Sequence, residues 1–292
     1  MNPRFWLQHT MSGLLAGYAA WLTFRETDPW TFGDGFLATL FTTGVFGAVL
    51  LGLGAALPPL VNDWQARQAG RLLLAHALPA LAFAMPTAVL FALLGGSTGL
   101  ARMAPVLVVR TLWWSLLAAA LGACRGFVTG SCRTAAHTMA GLLPGLVAGG
   151  LLLDRFFVPR GLWLVGSLFF GAVIGACLAL ALDLLKEAWL EDLGHGGRWR
   201  PQHLLESEEF VAGSDEDCDL ILPEAPPQAF SITEKDEGHV LESLDESPIK
   251  VTGGRFRCRL LVDGDVFEVA GRTFVYHNRL ARTRDTAPQP AA

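Results

Sequence analysis

Three arginines at alternating positions, Arg255, Arg257 and Arg259, are the residues of this chain best suited to bind an anion. Guanidinium groups form charge-assisted hydrogen bonds to phosphate and carboxylate oxygens. Alternate residues of a strand point to the same face, so the spacing predicts that all three share one sheet face beside Thr252. Acidic segments nearby would partly neutralise them, and a solvated strand face is the alternative interpretation.

Residues with catalytic or metal-binding potential are scattered along the chain. The motif GSC at Gly130–Cys132 has no triad context, and GHGG at Gly194–Gly197 lacks the strand-to-helix setting of a phosphate-binding loop. The five cysteines show no CxxC spacing and no paired histidines, which disfavours a disulfide framework or a zinc site. We therefore expect no enzyme activity, no metal site and no cofactor.

Composition divides the chain into two halves. Of the 292 residues, 52% are hydrophobic and only 17% are charged, and the mean hydropathy of +0.39 indicates that part of the chain lies in lipid. Acidic residues are sparse before Lys186 and dense from Glu187 to Glu246, which predicts a domain boundary near residue 186. The net charge of −5 offers no basic face for nucleic acid, so we expect no nucleic-acid partner.

The first half predicts a polytopic α-helical membrane domain over residues 1–186. A helix needs about 20 mostly apolar residues to cross a bilayer. About six stretches qualify, namely residues 5–24, 35–57, 72–94, 104–123, 138–153 and 161–185. The first of them is the weakest, so a domain with five spans is the alternative.

Small residues recur every four positions in three consecutive spans. A step of four places them in one stripe of a helix, where missing side chains let two backbones approach closely. We therefore predict a tightly packed bundle, with membrane lipid around it, in which these glycines make the helix contacts: Gly122, Gly126, Gly130, Gly141, Gly145, Gly149, Gly171 and Gly175.

Transport is the alternative role of this domain. Ionisable residues inside the spans are few, which disfavours an ion or solute path. The prolines Pro79, Pro86 and Pro144 could break helices around a site, so a transporter or channel stays open as a hypothesis.

The second half changes to short apolar, β-branched runs separated by turn residues. From Trp189 to Arg279 this pattern predicts an all-β sandwich of about 90 residues. We set this domain at residues 187–284. The polar, proline-bearing tail at 285–292 is predicted to be disordered.

Four segments of this half resemble the forkhead-associated (FHA) family: GSDEDCDLIL, FSI, VTGG and LLVDGDVFEVAGRTFVYHNR. The resemblance covers roughly the last third of the chain and implies a β-sandwich that binds phosphothreonine peptides. More loosely, the EAWL segment at Glu187–Leu190 is similar to the junction in bacterial proteins that join a glycine-rich membrane domain to such a module. The fold-building residues of the pattern are Gly213, Asp219, Leu220, Ile232, Gly253, Leu261, Gly264, Asp265 and Gly271.

The phosphate-binding positions of the family differ in this chain. Ser214 follows Gly213 where the family has arginine, and residues 226–229, Pro-Pro-Gln-Ala, stand where it has Ser-x-x-His. Its Asn-Gly pair falls on Thr252 and Gly253. Without an arginine fork, a phosphate finds no partner that offsets its dehydration.

The resemblance and these departures together predict a phospho-independent interaction platform. The candidate peptide-binding residues are Ser214, Thr252, Arg255, Arg257 and Arg259. We expect a multi-pass protein of a bacterial inner membrane whose FHA-like domain is cytoplasmic and docks a cytoplasmic protein. The loop arginines split five against five, so this orientation follows from the resemblance alone. A genuine phosphothreonine reader that binds a phosphoprotein, and a homo-oligomer, remain alternatives.

Overall fold

The computed structural model of the chain describes residues 3–26, 35–63, 66–96, 106–153, 162–194, 200–205, 207, 209–215, 217–235, 238–245, 248–252 and 254–279. Within these described residues, six helices come first and eleven strands follow. The chain separates into two compact units, one ending at Leu184 and the other beginning at Leu185. The tail predicted at 285–292, and Gly253, lie outside the described residues.

The helices of the first unit run through the predicted spans. Their bounds are α1 Pro3–Glu26, α2 Gly35–Asp63, α3 Ala66–Gly96, α4 Val106–Thr129, α5 Cys132–Leu152 and α6 Trp163–Leu185. The helices α3 and α5 continue through Pro79, Pro86 and Pro144, so these prolines do not end a helix. Ser131 caps α5, because its hydroxyl oxygen accepts a hydrogen bond from Thr134 N at 3.2 Å.

Among the described residues, five helices are long and apolar enough to cross a membrane, namely α2 to α6. The exception is α1, which carries Arg4, Gln8 and His9 near its start and Arg25 and Glu26 at its end. The span predicted over residues 5–24 is thus helical, but its crossing of a membrane stays a prediction.

Aliphatic and aromatic side chains from several helices form the core of the first unit, and several of its hydroxyl groups bond to the backbone of their own helix. Leu50, Leu121, Leu146 and Ile174 are fully buried there. The Thr43 hydroxyl donates to the Thr39 carbonyl at 2.7 Å, and Thr87 and Ser115 donate to carbonyls of the preceding turn in the same way. Such bonds satisfy hydroxyl groups where no water is near.

The second unit consists of two β-sheets. The strands are β1 Ala188–Asp192, β2 Gln202–Leu204, β3 Glu209–Gly213, β4 Leu220–Ile221, β5 Phe230–Lys235, β6 Gly238–Ser243, β7 Ile249–Val251, β8 Gly254–Phe256, β9 Cys258–Leu260, β10 Val266–Val269 and β11 Arg272–Asn278. One sheet has six strands in the order β2-β1-β11-β10-β7-β8, and the other has five in the order β4-β3-β5-β6-β9. All described strand pairs are antiparallel except β3 with β4, which is parallel.

Aromatic side chains from both sheets fill the core of this unit. The ring centroid of Phe267 lies 5.5 Å from those of Phe230 and Phe274, and all three side chains are buried. Tyr276 is fully buried, and its hydroxyl lies 2.8 Å from His239 Nδ1. Burial raises the pKa of Tyr276 to about 12, which keeps the phenol neutral in the folded unit.

Candidate functional site

The β3–β4 loop begins at Gly213 and packs against the β4–β5 loop. Ser214 N donates to the Pro226 carbonyl at 2.9 Å, and Asp215 N donates to the Pro227 carbonyl at 3.0 Å. A side chain at Gly213 would collide with the Pro227 carbonyl oxygen, so only glycine allows this approach. The two loops are therefore joined by their backbones at one end of the five-stranded sheet.

Cys218 and Asp219 fix the far side of the same loop. The Cys218 thiol donates to the Pro227 carbonyl at 3.3 Å, and Asp219 Oδ2 accepts from Val211 N at 2.9 Å. Burial raises the pKa of the Cys218 thiol, and the neighbouring carboxylate of Asp215 raises it further. Burial also raises the pKa of Asp219, while the hydrogen bond from Val211 lowers it.

Negative charge dominates these two loops. Asp215, Asp217, Asp219 and Glu224 lie in them, and the sequence from 214 to 229 contains no lysine, arginine or histidine. The sequence-predicted site residue Ser214 is half-buried at this position. The carboxylates would repel a phosphate rather than bind it.

Thr252 lies elsewhere, at the β7–β8 hairpin. Thr252 N and its hydroxyl both donate to the Val266 carbonyl, at 2.8 and 3.0 Å. Strand β7 lies between this hairpin and the loop that follows β6. The loop after β6 contacts the start of β5, because Leu244 N donates to the Ala229 carbonyl. Thr252 thus follows a strand of the six-stranded sheet and Ser214 follows a strand of the five-stranded sheet, and a shared peptide site for the two residues stays a prediction.

The three arginines do not share a sheet face, which corrects the prediction from their spacing. Arg255 lies in β8 of the six-stranded sheet, and Arg259 lies in β9 of the five-stranded sheet. The chain changes sheets at Arg257, which interrupts the alternation expected for a single strand. Three residues that look equivalent in the sequence thus have three different environments.

Arg259 is the arginine with the most defined contacts. Its guanidinium donates to the Thr252 carbonyl at 2.6 Å and to Asp265 Oδ1 at 3.1 Å, and it lies 4.8 Å from the centroid of the Phe256 ring. Asp265 Oδ2 also accepts from Val262 N at 2.9 Å. Arg259 therefore ties the two sheets together, and its charge is largely compensated.

The glycine stripe of α4 faces α5. A Cβ at Gly122 would lie 2.9 Å from the Met139 Cβ, and one at Gly126 would collide with the Ala135 Cβ. The stripe of α5 in turn faces α6, since a Cβ at Gly141 would lie 2.9 Å from the Leu178 Cα. Likewise, additions at Gly145 and Gly149 would meet Ile174 Cα and the Phe170 ring, each at 3.0 Å.

The stripe of α6 packs against α1, a contact that our sequence analysis missed. Cβ atoms at Gly171 and Gly175 would collide with the carbonyl oxygens of Gly13 and His9. The facing glycines of α1, Gly13 and Gly17, are also four residues apart, and this spacing was the signal that could have revealed them.

Gly130 does not belong to a helix contact, which corrects its place in the predicted stripe. It lies in the turn between α4 and α5 with a φ of 67°, and a Cβ there would meet nothing within 4 Å. Its role is the left-handed backbone conformation, which glycine adopts without a steric penalty.

The described part of the chain contains no group of three or more His, Cys, Asp or Glu side chains arranged to hold a metal ion.

The chain is similar to known proteins only to a limited extent. No family model matches the chain, and no curated protein matches it.

Solved structures similar to this chain include FHA domains. A domain from a study of phosphothreonine-dependent FHA interactions is 18% identical and has a TM-score of 0.28, covering 31% of this chain and 95% of its own. The FHA domain of FhaA, crystallised with the intracellular domain of another protein, has the same identity, TM-score and share of this chain, and 99% of its own is covered. EmbR of Mycobacterium tuberculosis, in complex with a low-affinity phosphopeptide, is 15% identical with a TM-score of 0.29, covering 94% of this chain and 71% of its own.

Proposed function

We propose that this protein is a multi-pass membrane protein that presents an FHA-like interaction domain, and that the domain binds its partner without a phosphate. The first part rests on five helices that are long and apolar enough to cross a membrane. The second rests on the sequence resemblance and on the two-sheet unit that follows the helices. The proposed location is a bacterial inner membrane, with the second unit, which we call the β unit, on the cytoplasmic side.

The acidic pair of loops carries the argument for phosphate independence. The backbone amides of Ser214 and Asp215 already donate to Pro226 and Pro227, so they are not available to a phosphate. The charged side chains of these loops are carboxylates, and Arg255, the arginine nearest in sequence to Thr252, lies in a different sheet from the loops. A doubly charged phosphate placed in such loops would lose its hydration without gaining a charge-assisted bond.

Co-purification from native membranes tests both parts. The tagged full-length chain should stay in the membrane fraction after an alkaline wash, and the proteins recovered with it should be the same before and after phosphatase treatment. A chain released by the wash would contradict the membrane assignment. Loss of the partner after phosphatase treatment would contradict phosphate independence.

A flux measurement addresses the transporter hypothesis. Liposomes containing the purified chain should show no solute flux above that of empty liposomes. Flux that is present in the original chain and lost in a folded Gly145→Leu variant would favour a transporter over an anchor, because Gly145 contacts Ile174 in the bundle interior.

A further inference from the structure

The free edges of both sheets lie next to each other in the second unit. Strand β8 ends the six-stranded sheet, and β9 ends the five-stranded sheet. Only Arg257 separates these two strands in the chain. We refer to Gly254–Val262, which contains both strands and the two residues after them, as the β8–β9 edge.

The backbone of β9 offers hydrogen-bonding groups on its outer side. Ser243 N donates to the Arg257 carbonyl at 2.7 Å, and Leu261 N donates to the His239 carbonyl at 2.8 Å. In an antiparallel pair the backbone N–H and C=O groups of successive residues point alternately toward and away from the partner strand, so the backbone groups of residues 257, 259 and 261 bond to β6. The N–H and C=O groups of Cys258 and Leu260 therefore point away from the sheet, and no other described strand pairs with them.

Apolar side chains are exposed along the same edge. Among the described residues from β1 to β11, the large hydrophobic residues that are exposed are Leu244, Phe256, Leu260 and Val262, and the last is 59% exposed. Three of them belong to the β8–β9 edge, and Leu244 directly follows β6, the neighbour of β9. Natural proteins usually shield a free edge with a covering element or a bulge, because an open edge invites another strand.

The charge of this edge is opposite to that of its surroundings. Residues 254–262 contain three arginines and no acid, whereas acids are dense from Glu187 to Glu246. Arg255 is exposed and forms no ion pair with any described residue. Because Asp265 compensates Arg259, it is Arg255 that suits the edge to a partner that carries negative charge.

We propose that the β8–β9 edge binds an extended, acidic segment of a partner protein by strand addition. The main chain of that segment would bond to Cys258 and Leu260, its apolar side chains would pack on Leu260 and Val262, and a carboxylate would face Arg255. This inference rests on the interaction role proposed above and assigns it a surface distinct from the acidic loops.

Other occupants fit the edge less well. A second copy of this chain, paired edge to edge, would bring like-charged arginines together. The last residues of the chain, 280–292, contain two arginines and one aspartate and so lack the complementary charge. An anionic lipid surface would suit the arginines but would not satisfy alternating N–H and C=O groups.

The test selects binders from a library of random unphosphorylated peptides with the full-length chain in nanodiscs. We expect enrichment of sequences in which Asp or Glu alternates with β-branched or aromatic residues. Hydrogen exchange on the complex should protect the amides of Cys258 and Leu260.

Two variants and a matched control locate the site. Arg255→Glu should weaken the selected peptides at least tenfold, because it places like charges together. Cys258→Pro should do the same, since it removes an outward N–H and leaves the bonds of residues 257 and 259 to β6 in place. Lys235→Glu makes the same charge change at an exposed position in β5 and should have no such effect.

Each outcome assigns or overturns the site. Protection of residues 212–229 instead of the edge would overturn this inference and leave the interaction role standing. Failure of the library to yield any binder would count against the interaction role itself. The lipid of the nanodisc is also changed from zwitterionic to anionic with no peptide present. If this change protects the amides of the β8–β9 edge from hydrogen exchange, the edge binds lipid and the inference is overturned.

Discussion

The contact between α1 and α6 makes Gly171→Ala a sensitive test of the helix packing. The added Cβ would collide with the Gly13 carbonyl oxygen and would lie 2.8 Å from Gly13 C and 3.0 Å from Gly17 N, where ordinary contact begins near 3.4 Å. All three atoms belong to the backbone, so no side chain can rotate to relieve the clash. The helices must move apart to accept one methyl group.

The cost follows from the contacts that this separation weakens. A gap of 0.5–1 Å forfeits about a quarter to a half of each van der Waals contact, and overpacking of this kind typically costs about 1–3 kcal/mol. We take about 2 kcal/mol for Gly171→Ala. With about 2–4 °C per kcal/mol for domains of this size, the Tm should fall by about 4–8 °C.

The assay is thermal unfolding of the full-length chain in detergent, with Gly70→Ala as the matched control. Gly70 lies in α3, is exposed, and has nothing within 4 Å of an added Cβ. Replacing it with alanine should leave the Tm unchanged or raise it slightly, since alanine is favoured over glycine in helices by about 0.5–1 kcal/mol. If both variants unfold at the same temperature, the α1–α6 contact is refuted.

Three further predictions follow from the β unit. The chain has two tyrosines, so in a Tyr18→Phe background the remaining phenol, Tyr276, should ionise near pH 12. Because the folded pKa is raised, the contribution of Tyr276 to stability is full below about pH 10 and is lost between about pH 10 and 12. Ultraviolet absorbance that titrates near pH 10 in the folded chain would contradict this prediction. Asp265→Ala should lower the free energy of unfolding by about 1–3 kcal/mol, and by more than Arg259→Ala, because Asp265 also accepts a hydrogen bond from Val262 N. Denaturant unfolding of both variants measures this difference. A larger loss in Arg259→Ala would show that the arginine contributes more to stability than the aspartate. Ser214→Arg should raise the affinity for phosphothreonine peptides by less than tenfold, because acidic residues are close to it in the sequence and residues 226–229 lack the family's serine and histidine. A larger gain in a peptide titration would show that the loop needs only the arginine to bind a phosphate.

Local pattern was sufficient to predict the helices and most strands. The predicted span over residues 35–57 falls within α2, and α6 occupies residues 163–185 of the span predicted over 161–185, because long apolar runs have few alternatives to a helix. The segments around Phe267 and Phe274 alternate strongly and form β10 and β11. These features depend on residues that are near one another in the chain.

The missed features depend on contacts between distant segments. Arg255, Arg257 and Arg259 were predicted to share one sheet face, but the chain changes sheets at Arg257, and the local alternation of residues does not indicate that change. Thr252 was placed by its family position, whereas the pairing of β7 with β8 and β10 determines where it lies. The spacing of Gly13 and Gly17 was visible, but only the packing of α1 on α6 shows what it is for.

We propose that the β unit is an interaction domain that does not recognise phosphate. Titrating the full-length chain with matched phosphothreonine and threonine peptide libraries tests it most directly. We predict a preference for the phosphorylated library of less than tenfold, which is below about 1.4 kcal/mol. A preference of tenfold or more would contradict the claim and would show that Arg255 or Arg257 holds a phosphate that the acidic loops cannot.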